Sequence, residues 1–161
     1  MKKLLSLLTG VLMLFSINGC GNANKDTKEY NKKIELNVEN DIKTDNGEYK
    51  FTITGVEKTD WWKRFKENED KEVIILKYEC ENVSFSDSMY NGLFLSSNAF
   101  EVTDQDGYIL EECDFGYENN YPEVLSKGNK ARFGIPYVAE PGITSITVKF
   151  KRGGEVTIPI K

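Results

Sequence analysis

Apolar and polar residues alternate one for one along most apolar stretches after residue 33, and this restricts the chain more than any other property. Tyr49, Phe51 and Ile53 alternate with Lys50, Thr52 and Thr54. Ala131, Phe133, Ile135 and Tyr137 alternate with Lys130, Arg132 and Gly134, and Ile146, Val148 and Phe150 with Thr147, Lys149 and Lys151. A period of two sends successive side chains to opposite faces of a strand, so each stretch predicts a half-buried β-strand. No long amphipathic helix competes with this pattern.

The remaining stretches extend it. Ile34, Leu36 and Val38 alternate with Glu35, Asn37 and Glu39 and predict a first strand. Val73-Ile74-Ile75-Leu76 is apolar on both faces, as a central sandwich strand requires, and continues with Leu76, Tyr78 and Cys80 facing one way. Gly55 breaks an alternation and Val56 stands where a polar residue was due, which predicts a bulge. Leu93 to Thr103 holds one or two short strands, and Tyr108 to Leu110 returns after Asp104-Gln105-Asp106-Gly107. Pro136 predicts a strand end or an edge. Asp45-Asn46-Gly47, Lys127-Gly128-Asn129, Pro141-Gly142 and Arg152-Gly153-Gly154-Glu155 are turns, and Val156, Ile158 and Ile160 close the sheet. Asp114 to Glu123 is irregular. Seven to nine short strands separated by such turns predict an all-β, Greek-key β-sandwich.

Ahead of this domain, Met1-Lys2-Lys3 forms a short positive segment and Leu4 to Ile17 an uncharged, Leu-rich run, the layout of a signal peptide. It ends on Ile17-Asn18-Gly19-Cys20, which resembles the bacterial lipoprotein box. That resemblance implies cleavage after residue 19 and acylation of Cys20, which anchors the chain to the cell membrane, facing outside the cytoplasm. Residues 20–33 then read as the lipidated cysteine and a flexible tether, and 34–161 as one domain. Fully extended, thirteen residues from Gly21 to Lys33 reach only about 45 Å.

Removing residues 1–19 takes away Lys2 and Lys3, leaving 19 Lys and Arg against 26 Asp and Glu, a net charge of −7. An acidic domain is a poor match to nucleic acid, whose phosphates call for basic side chains. There is no histidine. Ser-His-Asp and Cys-His catalysis therefore lack their usual base, and zinc sites built on histidine are unavailable. No catalytic residue, cofactor or metal is expected. Apart from Cys20, the two cysteines Cys80 and Cys113 are an even pair in an exported chain, and are a candidate disulfide; two buried free thiols are the alternative.

The order of Tyr49–Val56 (YKFTITGV), Lys77–Ser84 (KYECENVS), Asp104–Tyr108 (DQDGY), Lys127–Val138 (KGNKARFGIPYV) and Ile143–Phe150 resembles the immunoglobulin-like domain of unknown function found in Gram-positive bacterial lipoproteins. That family is similar in fold to secreted mycobacterial immunoglobulin-like antigens. The resemblance covers residues 34–161 and implies an immunoglobulin-like sandwich displayed outside the cytoplasm, with no established activity or catalytic residues to transfer.

Three stretches invite a functional reading. Trp61, Trp62, Lys63, Arg64, Phe65 and Lys66 are the densest aromatic and basic cluster, suited to a binding loop because aromatics and arginine are enriched at interfaces. A plug for one end of the sandwich is the plainer role. Asp104-Gln105-Asp106-Gly107 has a calcium-loop flavour, but the frame puts Val102 and Cys113 where oxygen ligands are needed, so a turn is expected. Asn82-Val83-Ser84 matches a glycosylation sequon, yet Asn82 is better placed to end a strand through its own side chain. Together these predict a membrane-anchored, non-enzymatic binding or envelope-accessory module with a protein or envelope-component partner. A carboxylate-dependent hydrolase of envelope material and a spacer or antigen without a ligand are the alternatives.

Overall fold

The computed structural model describes residues 33–60, 70–113 and 120–161. Among the described residues eight strands form two antiparallel sheets, and Ser97–Ala99 makes a 3-10 turn. Strands β1 (Asn40–Thr44), β2 (Gly47–Thr59), β3 (Glu72–Asn82), β6 (Lys130–Ala139) and β5 (Glu111–Glu112) lie side by side in that order. Strands β4 (Phe100–Asp104), β7 (Ser145–Phe150) and β8 (Glu155–Pro159) make the second sheet. The chain crosses between sheets after β3, β4 and β6, which gives an immunoglobulin-like Greek-key sandwich.

The alternation does what it predicts. Tyr49, Phe51 and Ile53 of β2, Ile74, Leu76, Tyr78 and Cys80 of β3, and Phe133, Ile135 and Tyr137 of β6 point into one core with Val102, Ile146, Val148, Phe150 and Ile158. An aromatic seam joins the sheets: the Phe51 ring lies 4.6 Å from Phe150, and the Tyr78 ring 5.4 Å from Phe100. Burying each such ring is worth roughly 1.5–3 kcal/mol. The bulge falls at Gly55, where the β2–β3 register shifts, so that Val56 returns to the core side opposite Leu76.

Two elements differ from expectation. The alternation at Ile34, Leu36 and Val38 does not build a strand: Ile34 is buried, but Asn37 adopts φ 61° and the chain turns there, leaving Val38 exposed. The first strand instead begins at Asn40, whose buried amide donates to Val38 and Phe51 carbonyls. Pro136 lies inside β6, between β3 and β5, rather than at an outer edge. Its carbonyl accepts from the Cys113 N–H at 2.9 Å. In an antiparallel ladder the N–H and C=O of one residue face the same neighbour, so the missing donor faces β5, which is only two residues long.

The same rule applies at β8. Ile160 N–H donates to Thr144, and the Gly154 carbonyl accepts from Phe150, so even-numbered residues face β7 and Pro159 faces the free edge. Segment Lys33–Leu36 lies alongside Glu155–Thr157 across a small groove without joining the ladder.

Candidate binding surfaces

The expected site residues separate. Cys20 and the cluster Trp61, Trp62, Lys63, Arg64, Phe65 and Lys66 lie outside the described residues. Cys80 and Cys113 are described, and the disulfide expected of them is not formed: both are free, buried thiols. Cys80 points into the core, whereas Cys113 packs with Val73 and Val138 on the outer face of the same sheet. Cys113 also binds Pro136, which pairs with Ile75, five residues from Cys80. Five strand steps span about 17 Å, far beyond the ~7 Å Cα separation that a bridge tolerates. An even cysteine count is compatible with a bridge or with two buried free thiols and carries no information about faces. Burial pushes the Cys80 thiol up to about 12.

Asp104 serves its turn. One carboxylate oxygen accepts from the N–H groups of Asp106 and Tyr108, both at 2.9 Å. Among the described residues no group of three or more Cys, Asp or Glu side chains gathers as metal ligands would. Asn82 is fully buried and closes its strand as expected, its oxygen accepting from Phe85 N–H at 2.7 Å.

Sequence patterning did not single out one sizeable concavity among the described residues. It is an open trough of about 880 Å³ over the outer face of the five-stranded sheet. Register builds its floor in two rows: Lys50 stands beside Glu81 and Glu81 beside Lys130, while Thr52 stands beside Glu79 and Glu79 beside Arg132. Glu39 and the stretch 120–123 form its sides. Arg132 Nε meets Glu79 at 2.7 Å, Lys130 meets Glu81 at 2.8 Å, and Lys50 meets Glu39 at 2.8 Å. The hydrogen bond and charge of Glu39 raise Lys50 above its ordinary value, and Glu79 does the same for Arg132. Glu79 and Glu81 share a face at the roughly 7 Å spacing of i and i+2 on a strand. That spacing suits an inverting glycosidase, which requires one carboxyl in apolar surroundings to act as acid. Here both carboxylates are committed to cations.

A second polar cluster sits at the β5 edge. The Glu112 carboxylate accepts from the hydroxyls of Ser97 and Tyr121, tying β5 to the approach to the other sheet and to the side of the trough. The hydroxyl of Tyr137, which stands opposite Glu112 in the ladder, is buried without a hydrogen-bond partner. Burial, and then the charge of Glu112, raise its ionisation above the ordinary phenol value.

No protein-family model and no curated protein sequence matches the chain. Solved structures match its fold. A candidate lipoprotein of Bacillus subtilis strain 168 superposes with a TM-score of 0.52 at 15% identity, over 79% of this chain and 39% of its own. This chain thus spans well under half of that protein's length. MPT63, a secreted protein of Mycobacterium tuberculosis, superposes with a TM-score of 0.53 at 9% identity, over 81% of this chain and 98% of its own. At such identities the likeness is one of fold.

Proposed function

We propose that this protein is a lipid-anchored, extracytoplasmic module that presents one immunoglobulin-like sandwich for binding and carries out no reaction. The observation that carries the proposal is the arrangement of the chain: Ile17-Asn18-Gly19-Cys20 ends an apolar leader, a short polar tether follows, and a self-contained sandwich begins within a few residues of Lys33. Its likeness in fold to a secreted mycobacterial protein and to a candidate Bacillus lipoprotein supports the same reading. A non-enzymatic role is supported by the trough, where the carboxylates closest to a catalytic spacing are paired with Arg132 and Lys130.

The partner-binding segment in this proposal is Trp61 to Lys66, which joins β2 to β3. Metabolic labelling with a palmitate analogue, followed by membrane fractionation, tests the anchor. The wild-type chain is expected to carry the label and sediment with membranes, and Cys20→Ala to lose both properties. A cleaved chain that stays with membranes after Cys20→Ala would remove the lipid from the account.

A further inference from the structure

The connections of the sandwich sort into two ends. At one lie the turn at Asp45 and Asn46, the stretch from Ser86 to Gly92, the turn at Lys127 and Gly128, and the β7–β8 hairpin through Lys151 and Arg152. Ser86 N–H bonds to the Asn46 carbonyl and Gly128 N–H to that of Asn82, and both contacts hold this end together. At the other end β2 stops at Thr59 and β3 starts at Glu72, beside the turn at Gly142 and the tip at Gln105. The thirteen residues of β2 separate the ends by roughly 40 Å.

The described chain starts partway along the sandwich, nearer the first of these ends. Lys33 to Leu36 runs beside Glu155 to Thr157, the residues that follow the β7–β8 hairpin, before turning at Asn37. Only twelve residues separate Lys33 from Cys20, so an acylated Cys20 would tether the domain within about 45 Å of the bilayer through a point nearer this end.

This end is also chemically suited to headgroups. Met89 is 79% exposed and Tyr90 42% exposed. One Asp87 oxygen accepts from both of their N–H groups, at 3.0 and 2.6 Å. The Tyr90 ring packs 5.1 Å from Phe94. Lys127, Lys151 and Arg152 are exposed and form no ion pair with any described residue. They largely offset Asp45, Asp87, Glu123 and Glu155, so this end is far less repelled by an anionic surface than the domain's net charge implies. The opposite end is just as apolar, with Tyr108 73% and Ile109 68% exposed. Two of its lysines are paired, Lys58 with Glu72 and Lys71 with Glu140, and among the described residues Lys161 is the exposed cation left there.

Building on the lipid-anchor reading, we propose that the end bearing Met89, Tyr90, Lys127, Lys151 and Arg152 docks on the lipid headgroup layer. The apolar pair enters the interface and the cations meet lipid phosphates. The β2–β3 connection with Trp61 and Trp62 then leaves the domain on the side away from the bilayer, and its partner is met there rather than in the lipid.

The test uses the acylated full chain in vesicles of phosphatidylcholine and phosphatidylglycerol that carry a headgroup quencher. A fluorophore is placed at Ser88→Cys or at Asp106→Cys, one per protein. Quenching is expected to be several-fold stronger at 88 than at 106, and replacing Lys127, Lys151 and Arg152 together by Gln should narrow that difference. Equal quenching, or stronger quenching at 106, in a chain shown to be acylated would overturn the orientation while leaving the anchor intact. A chain that is not acylated and does not sediment with membranes would end the anchor reading, and the orientation with it.

Discussion

The side-chain amide of Asn82 donates to the carbonyl of Leu125, 43 residues further along the chain, at 2.8 Å. The same nitrogen donates to Phe85 O, and the amide oxygen accepts from Phe85 N–H. One buried side chain thus closes the end of β3 and pins the strand that bridges Leu93 to Leu125. Asn82→Ala leaves the Phe85 carbonyl and N–H without their partner and takes one of two donors from the Leu125 carbonyl, which keeps the Leu93 N–H. A loss of about 2–4 kcal/mol in urea unfolding is expected. A change below about 1 kcal/mol would show that water replaces the amide.

Gly47 and Gly107 both adopt positive φ, yet substitution should affect them unequally. A Cβ at Gly47 would lie 2.5 Å from the Ser84 carbonyl oxygen, whereas at Gly107 nothing lies within 4 Å. Gly107→Ala carries only the conformational cost of about 1 kcal/mol. Gly47→Ala must also push backbone apart and should cost at least about 2–3 kcal/mol. Paired thermal melts check the order.

Alkaline stability follows from buried acids. In the unfolded chain Cys80 ionises near its ordinary value of about 9, whereas in the fold burial pushes it up to about 12. Between these values the folded state binds the extra proton, so its stabilising contribution is complete below about pH 9 and falls as pH rises. The loss should approach about 1 kcal/mol per pH unit. Tyr78 and Tyr137, also raised by burial, add to it above about pH 10. Urea midpoints of wild type and Cys80→Ala between pH 8 and 10 check this. Parallel slopes would mean that Cys80 is already ionised, or reached by water, in the fold.

Thiol labelling reports burial and oxidation state directly. Because Cys80 and Cys113 are free and buried, neither should react with a maleimide at neutral pH in the native protein, and both should react in denaturant without added reductant. A requirement for reductant would mean that they are oxidised.

Much of this architecture was legible because a strand's faces can be counted. The inward sets of β2, β3, β6 and β7 and the bulge at Gly55 follow from period two, and the turns from Gly, Asn and Pro. Ile34 to Val38 also counts as a strand, but Asn37 in the left-handed region reverses the chain, and one side chain tolerant of that conformation leaves no trace in an apolar count. The two-residue β5 is too short to have a period. The trough was invisible for another reason. Its floor is assembled from Lys50, Glu79, Glu81, Lys130 and Arg132, scattered over three strands, and each alone is an ordinary outward-facing charge. Only register brings them together.

Pro159 has a consequence for how copies share a surface. An open strand edge is a template along which neighbouring copies can pair. The free edge of β8 accepts hydrogen bonds at residue 159 but has none to donate there. Two copies meeting at that edge would therefore lose a rung of the ladder at its end.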